Sequence, residues 1–214
     1  RDEQPQERRL CYLYIINPWA GISSEEALLE YMLAPRQKLW STPLSAVDHC
    51  MERIPLRPND CVVDLGCGDG RILLWWAEKI SSKYTYDGKE EEAAKISFLG
   101  IDIDPSRIEE CKQATMLAKL EGKILREINL SFVCKNVLES HDIIQHATVI
   151  FLYLIPRGLK QIYPLLKQHR ERSNATIRIA TYMSKLPCET PVGRALCHVE
   201  HQKEAAWPLY FYEL

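Results

Sequence analysis

Three glycines and an aspartate in the stretch VVDLGCGDGR are the residues best suited to holding a ligand. Gly66, Gly68 and Gly70 follow a short apolar run, and Asp64 stands just before the first of them. Glycines between a strand and a helix let the backbone approach a ligand closely, and the helix N-terminus presents N–H groups to it. A dinucleotide site would need a glycine where this chain has Arg71. A tight structural turn is the alternative interpretation.

The elements that must position this turn follow an alternating pattern. From Cys61 onward, short apolar runs of strand type alternate with helical patterns. Strands that alternate with helices pair in parallel through right-handed crossovers. The last two apolar runs, ALCHVEHQKE and PLYFYEL, have no helix between them, which favours an antiparallel hairpin at one edge. The prediction is an α/β, Rossmann-like fold: a seven-stranded, mostly parallel sheet with one antiparallel strand and helices on both faces.

Two segments outside this pattern receive their own predictions. Residues 1–40 are expected to form a short helical extension ahead of a single domain over residues 41–214. A short helix is expected from Pro43 to about Arg53, because proline suits the first turn of a helix. The polar stretch 81–95 has no clear period, which predicts a mobile surface insertion between the first helix and second strand of the alternating pattern.

The glycine turn is similar to the first motif of class I, Rossmann-like methyltransferases that use S-adenosyl-L-methionine. The similarity lies in the spacing G-x-G-x-G with an aspartate two residues ahead. This cofactor has a carboxylate, an ammonium and a sulfonium, and no pyrophosphate, so an acid near the ammonium and a close backbone suit it. The resemblance implies that its methionine part is held by Asp64, Gly66, Cys67, Gly68, Gly70 and Thr42.

The ends of the second and third strands of the alternating pattern are predicted to hold the rest of the cofactor. Asp102 follows the second apolar run, where a carboxylate can accept both ribose hydroxyls, with Ile103 against the adenine. Asp104 is the competing acid, although its place before a proline also suits a helix cap. Asn136 stands where the resemblance implies an adenine-binding aspartate, and its carbonyl can accept the same hydrogen bond. Val137 would offer its N–H to the ring; a simple turn residue is the alternative for Asn136.

The stretch LYLIP, at the end of the fourth strand of the pattern, is where the methyl acceptor is expected. It holds Tyr153 and Pro156. Enzymes that methylate planar amines often carry an amide or carboxylate there, next to an aromatic residue, and this chain lacks it. Planar-amine chemistry is therefore disfavoured. A buried strand tyrosine is the alternative interpretation of Tyr153.

Three stretches together resemble a group of small protein-lysine methyltransferases. They are STPLSAVDHCMERIPLRPNDCVVDLGCGDGRILL, GIDIDPSRIEE and ATVIFLYLIPRGLKQIYPLL. The group includes archaeal protein-lysine methyltransferases and the mitochondrial enzyme that acts on the ATP synthase c-subunit. The resemblance implies a protein substrate whose lysine enters an apolar channel lined by Tyr153 and Pro156, which desolvates the amine. No metal is expected, because the sulfonium supplies the leaving group. Methylation of RNA or a small molecule, and a non-catalytic cofactor-binding module, are the alternatives.

The composition argues against several other classes of protein. A formal net charge of −2 lacks the basic excess of a protein that grips nucleic acid by its phosphates, so nucleic acid is not the expected partner. No apolar run approaches the roughly 18 residues that span a bilayer. The 8 cysteines form no C-x-x-C pair, which disfavours zinc and predicts reduced thiols in an intracellular, cytoplasmic protein. The chain does not begin with Met, so a removed mitochondrial targeting segment stays open.

One cluster of cations is left over after these assignments. It comprises Arg157, Lys160, Lys167, Arg170 and Arg172, all in the helical pattern that follows LYLIP. Such a cluster is most often a solvated helix face. An acidic partner or RNA is the alternative interpretation.

Overall fold

The computed structural model describes residues 42–172, 176–199 and 202–214. The helical extension predicted for residues 1–40 lies outside this range and stays a prediction. Within the described residues, no helix is both long enough and apolar enough to cross a bilayer.

The described chain alternates strands and helices. The helices are α1 Ser45–Arg53, α2 Arg71–Tyr86, α3 Glu90–Ala93, α4 Pro105–Leu120, α5 His141–Ile144 and α6 Pro156–Arg172, with a 3-10 turn at Val137–Glu139. The strands are β1 Cys61–Leu65, β2 Ser97–Asp102, β3 Asn129–Cys134, β4 Val149–Leu152, β5 Arg178–Tyr182, β6 Gly193–Val199 and β7 Gln202–Glu213. The helix expected from Pro43 to about Arg53 is therefore confirmed as α1.

All these strands form one sheet in the order β3-β2-β1-β4-β5-β7-β6. The pairs β1–β2, β1–β4, β2–β3 and β4–β5 are parallel. Strand β7 is antiparallel to both of its neighbours, β5 and β6. The predicted seven-stranded, mostly parallel sheet with an antiparallel last strand is confirmed.

Two apolar cores lie on the two faces of this sheet. Successive side chains of a strand point to opposite faces, and β1 shows the consequence. Val62 packs in the core that contains Trp76 of α2, whereas Val63 and Leu65 pack in the core that contains Leu166 of α6. Helices α1, α2 and α4 contribute to the first core, and α5 and α6 to the second. The predicted placement of helices on both faces is confirmed.

The prediction of a mobile insertion over residues 81–95 is wrong for most of its length. Helix α2 continues to Tyr86, and α3 follows it. Ser81 and Tyr84 are buried on the inner side of α2. The Ser81 hydroxyl donates to the carbonyl of Ala77 at 2.7 Å and accepts from the N–H of Leu125 at 3.0 Å. Ser81 therefore occupies a buried position on α2, because its hydroxyl is satisfied by two backbone groups. A hydrophobic pattern has a polar residue at this position and so does not predict that the helix continues.

The N-terminal edge of the sheet is held by one polar network around Asp60. The carboxylate of Asp60 accepts hydrogen bonds from the Thr148 hydroxyl at 2.7 Å and the Arg57 N–H at 2.6 Å. The guanidinium of Arg178 forms an ion pair with it and also donates to the Pro55 carbonyl. This network joins the residue before β1 to the residue before β4 and to the start of β5.

Candidate functional site

The glycine turn is fixed to the end of β2 by backbone hydrogen bonds. The N–H groups of Gly66 and Cys67 both donate to the carbonyl of Ile101, at 2.8 and 2.9 Å. The N–H of Gly68 donates to the Asp102 carboxylate at 2.8 Å. The turn is therefore a rigid part of the C-terminal edge of the sheet, where ligands bind in open α/β sheets.

Gly70 shows why this turn needs glycine. Its φ is +71°, in the left-handed region, and an added Cβ would lie 2.8 Å from both the Cys111 sulfur and the Phe132 ring. The Cys111 thiol also donates to the carbonyl of Gly68 at 3.4 Å. A hydrogen bond with Cys111, followed by burial, raises the pKa of the Cys67 thiol. The Cys67 thiol therefore stays protonated and supports the turn as a packing group.

A small cavity of about 30 Å³ opens in front of the turn. It brings together residues that are far apart in the sequence: the turn, the start of α2 and the end of β4. The predicted residues in its lining are Thr42, Asp64, Gly66, Cys67, Gly68 and Tyr153, and the unpredicted ones are Asp69, Arg71, Ile72 and Phe151. The described residues hold no group of three or more His, Cys, Asp or Glu arranged for a metal ion.

Asp64 is the dominant electrostatic feature of the cavity. Burial, followed by the nearby charges of Asp102 and Asp69, raises the pKa of this carboxyl well above its usual range. Among the described residues, no cation or hydrogen-bond donor pairs with it. Asp69, by contrast, is bound by the Arg71 guanidinium at 2.8 Å. A cationic group entering the cavity would lower the free energy of the ionised form of Asp64.

The two competing acids after β2 have different tasks. Asp104 caps α4, because its Oδ1 accepts from the N–H groups of Ser106 at 3.0 Å and Arg107 at 3.4 Å. The Ser106 hydroxyl donates to the same oxygen at 2.8 Å, and this side-chain bond is the main reason why the pKa of Asp104 is lowered. Asp102 is buried and held by the N–H groups of Gly68 and Asp104, one on each carboxylate oxygen. Each of these oxygens keeps a further lone-pair site for another donor.

Ile103, directly after Asp102, is 51% exposed although it is a large apolar residue. It lies beside the end of β3, where the thiol of Cys134 donates to its carbonyl at 3.5 Å. An exposed isoleucine next to a fixed carboxylate is a suitable surface for one face of a planar ring.

Asn136 has a structural task in the described chain. Its Oδ1 accepts from the N–H of Leu138 at 3.0 Å, and its Nδ2 donates to Glu139 at 3.4 Å, which caps the 3-10 turn. The predicted contact of Asn136 with adenine stays a prediction. It would need the second lone pair of Oδ1, since the Leu138 N–H already uses the first. Val137 is buried at the first position of this turn, where the N–H is not used by the turn itself.

Tyr153, just after β4, lines the cavity and is fixed by two contacts. Its hydroxyl donates to the Met183 sulfur at 3.2 Å, and its ring meets Tyr182 edge-to-face at 5.0 Å. Burial raises the pKa of Tyr153 to about 12, so the hydroxyl stays protonated near neutral pH. Pro156 does not line the cavity; it is exposed and begins α6.

Tyr182 and Met183 were not predicted from the sequence. They follow each other at the end of β5, and Met183 has a φ of +66°, which is uncommon for a residue other than glycine. The signal that could have identified them is an aromatic residue at the carboxyl end of a second strand, next to the one that ends at Tyr153. Arg71 could have been predicted from its place in the sequence, since it directly follows the last glycine of the turn.

Solved structures with a similar chain course decide the fold family. An RNA methyltransferase from Salinibacter ruber, solved with S-adenosyl-L-homocysteine, is 21% identical, covers 81% of this chain and 93% of its own, and gives a TM-score of 0.56. The chain has the fold of the Rossmann-like methyltransferases. Two further structures with this topology are the rRNA methyltransferase AviRa from Streptomyces viridochromogenes (10% identity, 91% and 92% coverage, TM-score 0.50) and the precorrin 8w decarboxylase of Methanobacterium thermoautotrophicum (14%, 85% and 96%, 0.50). No protein-family model and no curated protein matches the sequence.

Proposed function

We propose that the chain is an S-adenosylmethionine-dependent methyltransferase that transfers methyl groups to a lysine side chain of a protein. One observation carries the proposal. One cavity joins the glycine turn and the carboxyl of Asp64, which has no partner among the described residues, to Tyr153 just after β4. The cavity therefore combines a carboxyl suited to a cationic ligand, a backbone that a ligand can approach closely, and an aromatic side chain.

The residues of the cavity fit the methionine part of the cofactor. Asp64 is a buried carboxyl for which the described part of the chain supplies no counter-ion, and the ammonium would supply one. Gly66 and Gly68 have no side chains to occupy the cavity at their own positions in the turn. Thr42, which precedes α1, is also buried in the cavity lining.

The end of β2 fits the adenosine part. Asp102 is fixed by two backbone donors and keeps acceptor sites for the two ribose hydroxyls. Ile103 offers an exposed apolar surface to the adenine. Asn136 and Val137 stand at the end of β3, beyond Ile103, for the polar edge of the ring.

The acceptor side favours an aliphatic amine. S-adenosylmethionine supplies an activated methyl group when it is bound, and the chain must present a neutral amine to it. The Tyr153 and Tyr182 rings and the Met183 thioether give that side an apolar character, which disfavours the ammonium form. The Tyr153 hydroxyl is protonated and engaged with Met183, so it does not remove the proton. We assign these residues to orientation and desolvation of the amine, which supports reaction by positioning.

The test is transfer of label from methyl-labelled S-adenosylmethionine to a cell extract, with Asp102→Ala as the blank. We expect label that is lost on protease treatment, survives nuclease and is recovered as methyl-lysine after hydrolysis. Two of the fold neighbours act on RNA, so the nuclease arm decides between the substrate classes. Label that resists protease and falls to nuclease would move the function to RNA, and cofactor binding without any transfer would indicate a binding module.

Tyr153→Ala separates the acceptor side from the cofactor side. We expect turnover to fall by about 10-fold or more while cofactor affinity changes by less than about 3-fold, because Tyr153 contacts the acceptor end of the cavity. Tyr86→Ala is the matched control, since Tyr86 is 92% exposed at the end of α2. Full activity in Tyr153→Ala would leave Tyr153 as a packing residue only.

A further inference from the structure

Helix α6 carries a row of cations on its outer side. Lys160 and Lys167 are seven positions apart and lie on the same side of the helix, and Arg170 is one turn beyond Lys167. All three side chains are exposed. The opposite side of the helix is buried in the second core through Leu159, Ile162 and Leu166.

These cations are not neutralised by neighbours. Among the described residues, none of Lys160, Lys167 and Arg170 forms an ion pair, and Glu171 is the one acid in α6. Other surface lysines do have carboxylate partners within 4.0 Å; these pairs are Lys79–Asp48, Lys123–Glu121 and Lys135–Asp142. The outer side of α6 therefore carries three positive charges without a carboxylate within 4.0 Å among the described residues.

The β6–β7 hairpin extends this surface. Residues 183–192, all described, connect β5 to β6 without a helix, and Tyr210 of β7 packs against the same core as α6. Lys185 and Arg194 lie there on the Tyr210 ring, with the Lys185 Nζ at 5.5 Å and the Arg194 guanidinium at 5.9 Å from its centroid. Two exposed cations on one ring are held in place by cation–π contacts without being neutralised.

A hydrogen bond joins α6 to the loop before the hairpin. The Tyr163 hydroxyl donates to the Glu189 carboxylate at 2.6 Å. This bond fixes the loop against the helix and occupies the one acid of the loop. Lys160, Lys167, Arg170, Lys185 and Arg194 can thus be treated as one surface, which we call the basic surface.

We infer that the basic surface binds an acidic segment of the protein substrate and so delivers a nearby lysine to the cavity. The inference rests on the proposed function. Helix α6 begins at Pro156, directly after the stretch that contains Tyr153, so Lys160 lies about one turn from the acceptor end of the site. A net charge of −2 gives the chain no long-range attraction for a phosphate polymer, whereas a few carboxylates match a few local cations.

The test is direct binding, measured by fluorescence anisotropy. The probe is a fluorescent peptide with a run of glutamates around a central lysine, and polyuridylate of matched charge is the second probe. The site variant is Lys160→Glu/Lys167→Glu/Arg170→Glu. The matched control is Lys83→Glu/Lys89→Glu/Lys95→Glu, which makes the same charge change at exposed lysines away from α6.

We expect the site variant to lose at least about 10-fold in peptide affinity and the control less than about 2-fold, with the wild-type affinity falling as salt rises. Equal loss in both variants would overturn the inference, because only net charge would then matter. Tighter binding of polyuridylate through the same residues would also overturn it. Calorimetric binding of S-adenosylmethionine to the same variants keeps the two proposals separate: its absence in the wild type would refute the proposed function and leave the peptide result standing.

Discussion

Two buried aspartates at opposite ends of β1 meet opposite surroundings. Asp60, just before the strand, accepts hydrogen bonds from Thr148 and the Arg57 N–H and forms an ion pair with Arg178. Asp64, the next-to-last residue of the strand, has neither a cation nor a donor among the described residues, and burial, followed by two nearby acids, raises its pKa. The same side chain is satisfied at one end of the strand and unsatisfied at the other.

The difference separates stability from ligand binding along one strand. A buried carboxylate with good geometry and a cation holds neighbouring segments together, and removing one partner is costly. A buried carboxyl without a partner costs stability, and a ligand that brings the missing charge would explain its presence. The N-terminal ends of the parallel strands therefore form the structural edge of the sheet, and we propose the C-terminal ends as the binding edge.

The largest expected effect concerns the structural edge. Asp60→Ala should lower the free energy of unfolding by about 3–5 kcal/mol, because it leaves the guanidinium of Arg178 partly buried and unpaired. Urea denaturation measures the loss, and Asp87→Ala, at an exposed acid after α2, is the control. A loss below about 1 kcal/mol would mean that the Asp60–Arg178 pair is as weak as a surface ion pair. The claim that this edge stabilises the fold would then be refuted.

The next effect concerns the strained turn at the binding edge. Gly70 and Gly88 both have left-handed backbones, with φ of +71° and +66°, but an added Cβ at Gly88 meets nothing within 4 Å. Gly88→Ala should therefore lower the free energy of unfolding by about 1–2 kcal/mol. Gly70→Ala should lower it by about 1–3 kcal/mol more, because its Cβ would overpack against Cys111 and Phe132. Thermal denaturation compares the two variants. Equal losses would mean that Phe132 and Cys111 move aside.

Asp64→Asn should do the opposite of Asp60→Ala and stabilise the free protein. The folded state binds a proton at Asp64 more tightly than the unfolded state does, so this group's contribution to stability falls as pH rises above about 4, the unfolded pKa. The variant removes that cost. We expect a gain on the order of 1 kcal/mol at neutral pH that disappears below about pH 4. Urea titrations at both pH values measure it, and destabilisation at neutral pH would show that Asp64 has a partner.

The smallest effect is a difference in thiol reactivity. Cys134 and Cys188 are both exposed, but only Cys134 lies beside Ile103 at the expected adenine surface. S-adenosylhomocysteine should slow alkylation of Cys134 by about 3-fold or more and leave Cys188 unchanged, because a bound adenine would cover the first thiol. Peptide mass spectrometry after limited alkylation reads both sites at once. Equal rates with and without the ligand would place the adenine elsewhere.

The binding edge was more predictable from the sequence than the structural edge. Glycines between a strand and a helix, and an acid directly after a strand, are local patterns with a direct physical meaning, so the turn and Asp102 could be located. Asp104 was ambiguous because its position before a proline suits both tasks, and the cap on α4 became visible only with Ser106 and Arg107 in place.

The Asp60 network could not be predicted, because its members come from segments far apart in the sequence. Arg178 lies 118 positions from Asp60, and Thr148 88 positions. Pairing of β1 with β4 and of β4 with β5 brings them together. Tyr182 and Met183 were missed for the same reason, since their contact with Tyr153 crosses from β5 to β4. The course of α2 beyond Ser81 was missed because a buried serine resembles a surface residue in a hydrophobic pattern.

The most direct test of the binding edge is calorimetric titration of S-adenosylmethionine in buffers of different ionisation enthalpy, for the wild type and Asp64→Asn, between about pH 5 and pH 7.5. If Asp64 meets the ammonium of the ligand, wild-type binding releases a proton at the lower pH, and affinity rises with pH until the free carboxyl has ionised. Asp64→Asn would then bind roughly 10- to 100-fold more weakly, without proton release. Equal affinity in both proteins, with no proton released, would contradict the assignment of this edge to a cationic cofactor.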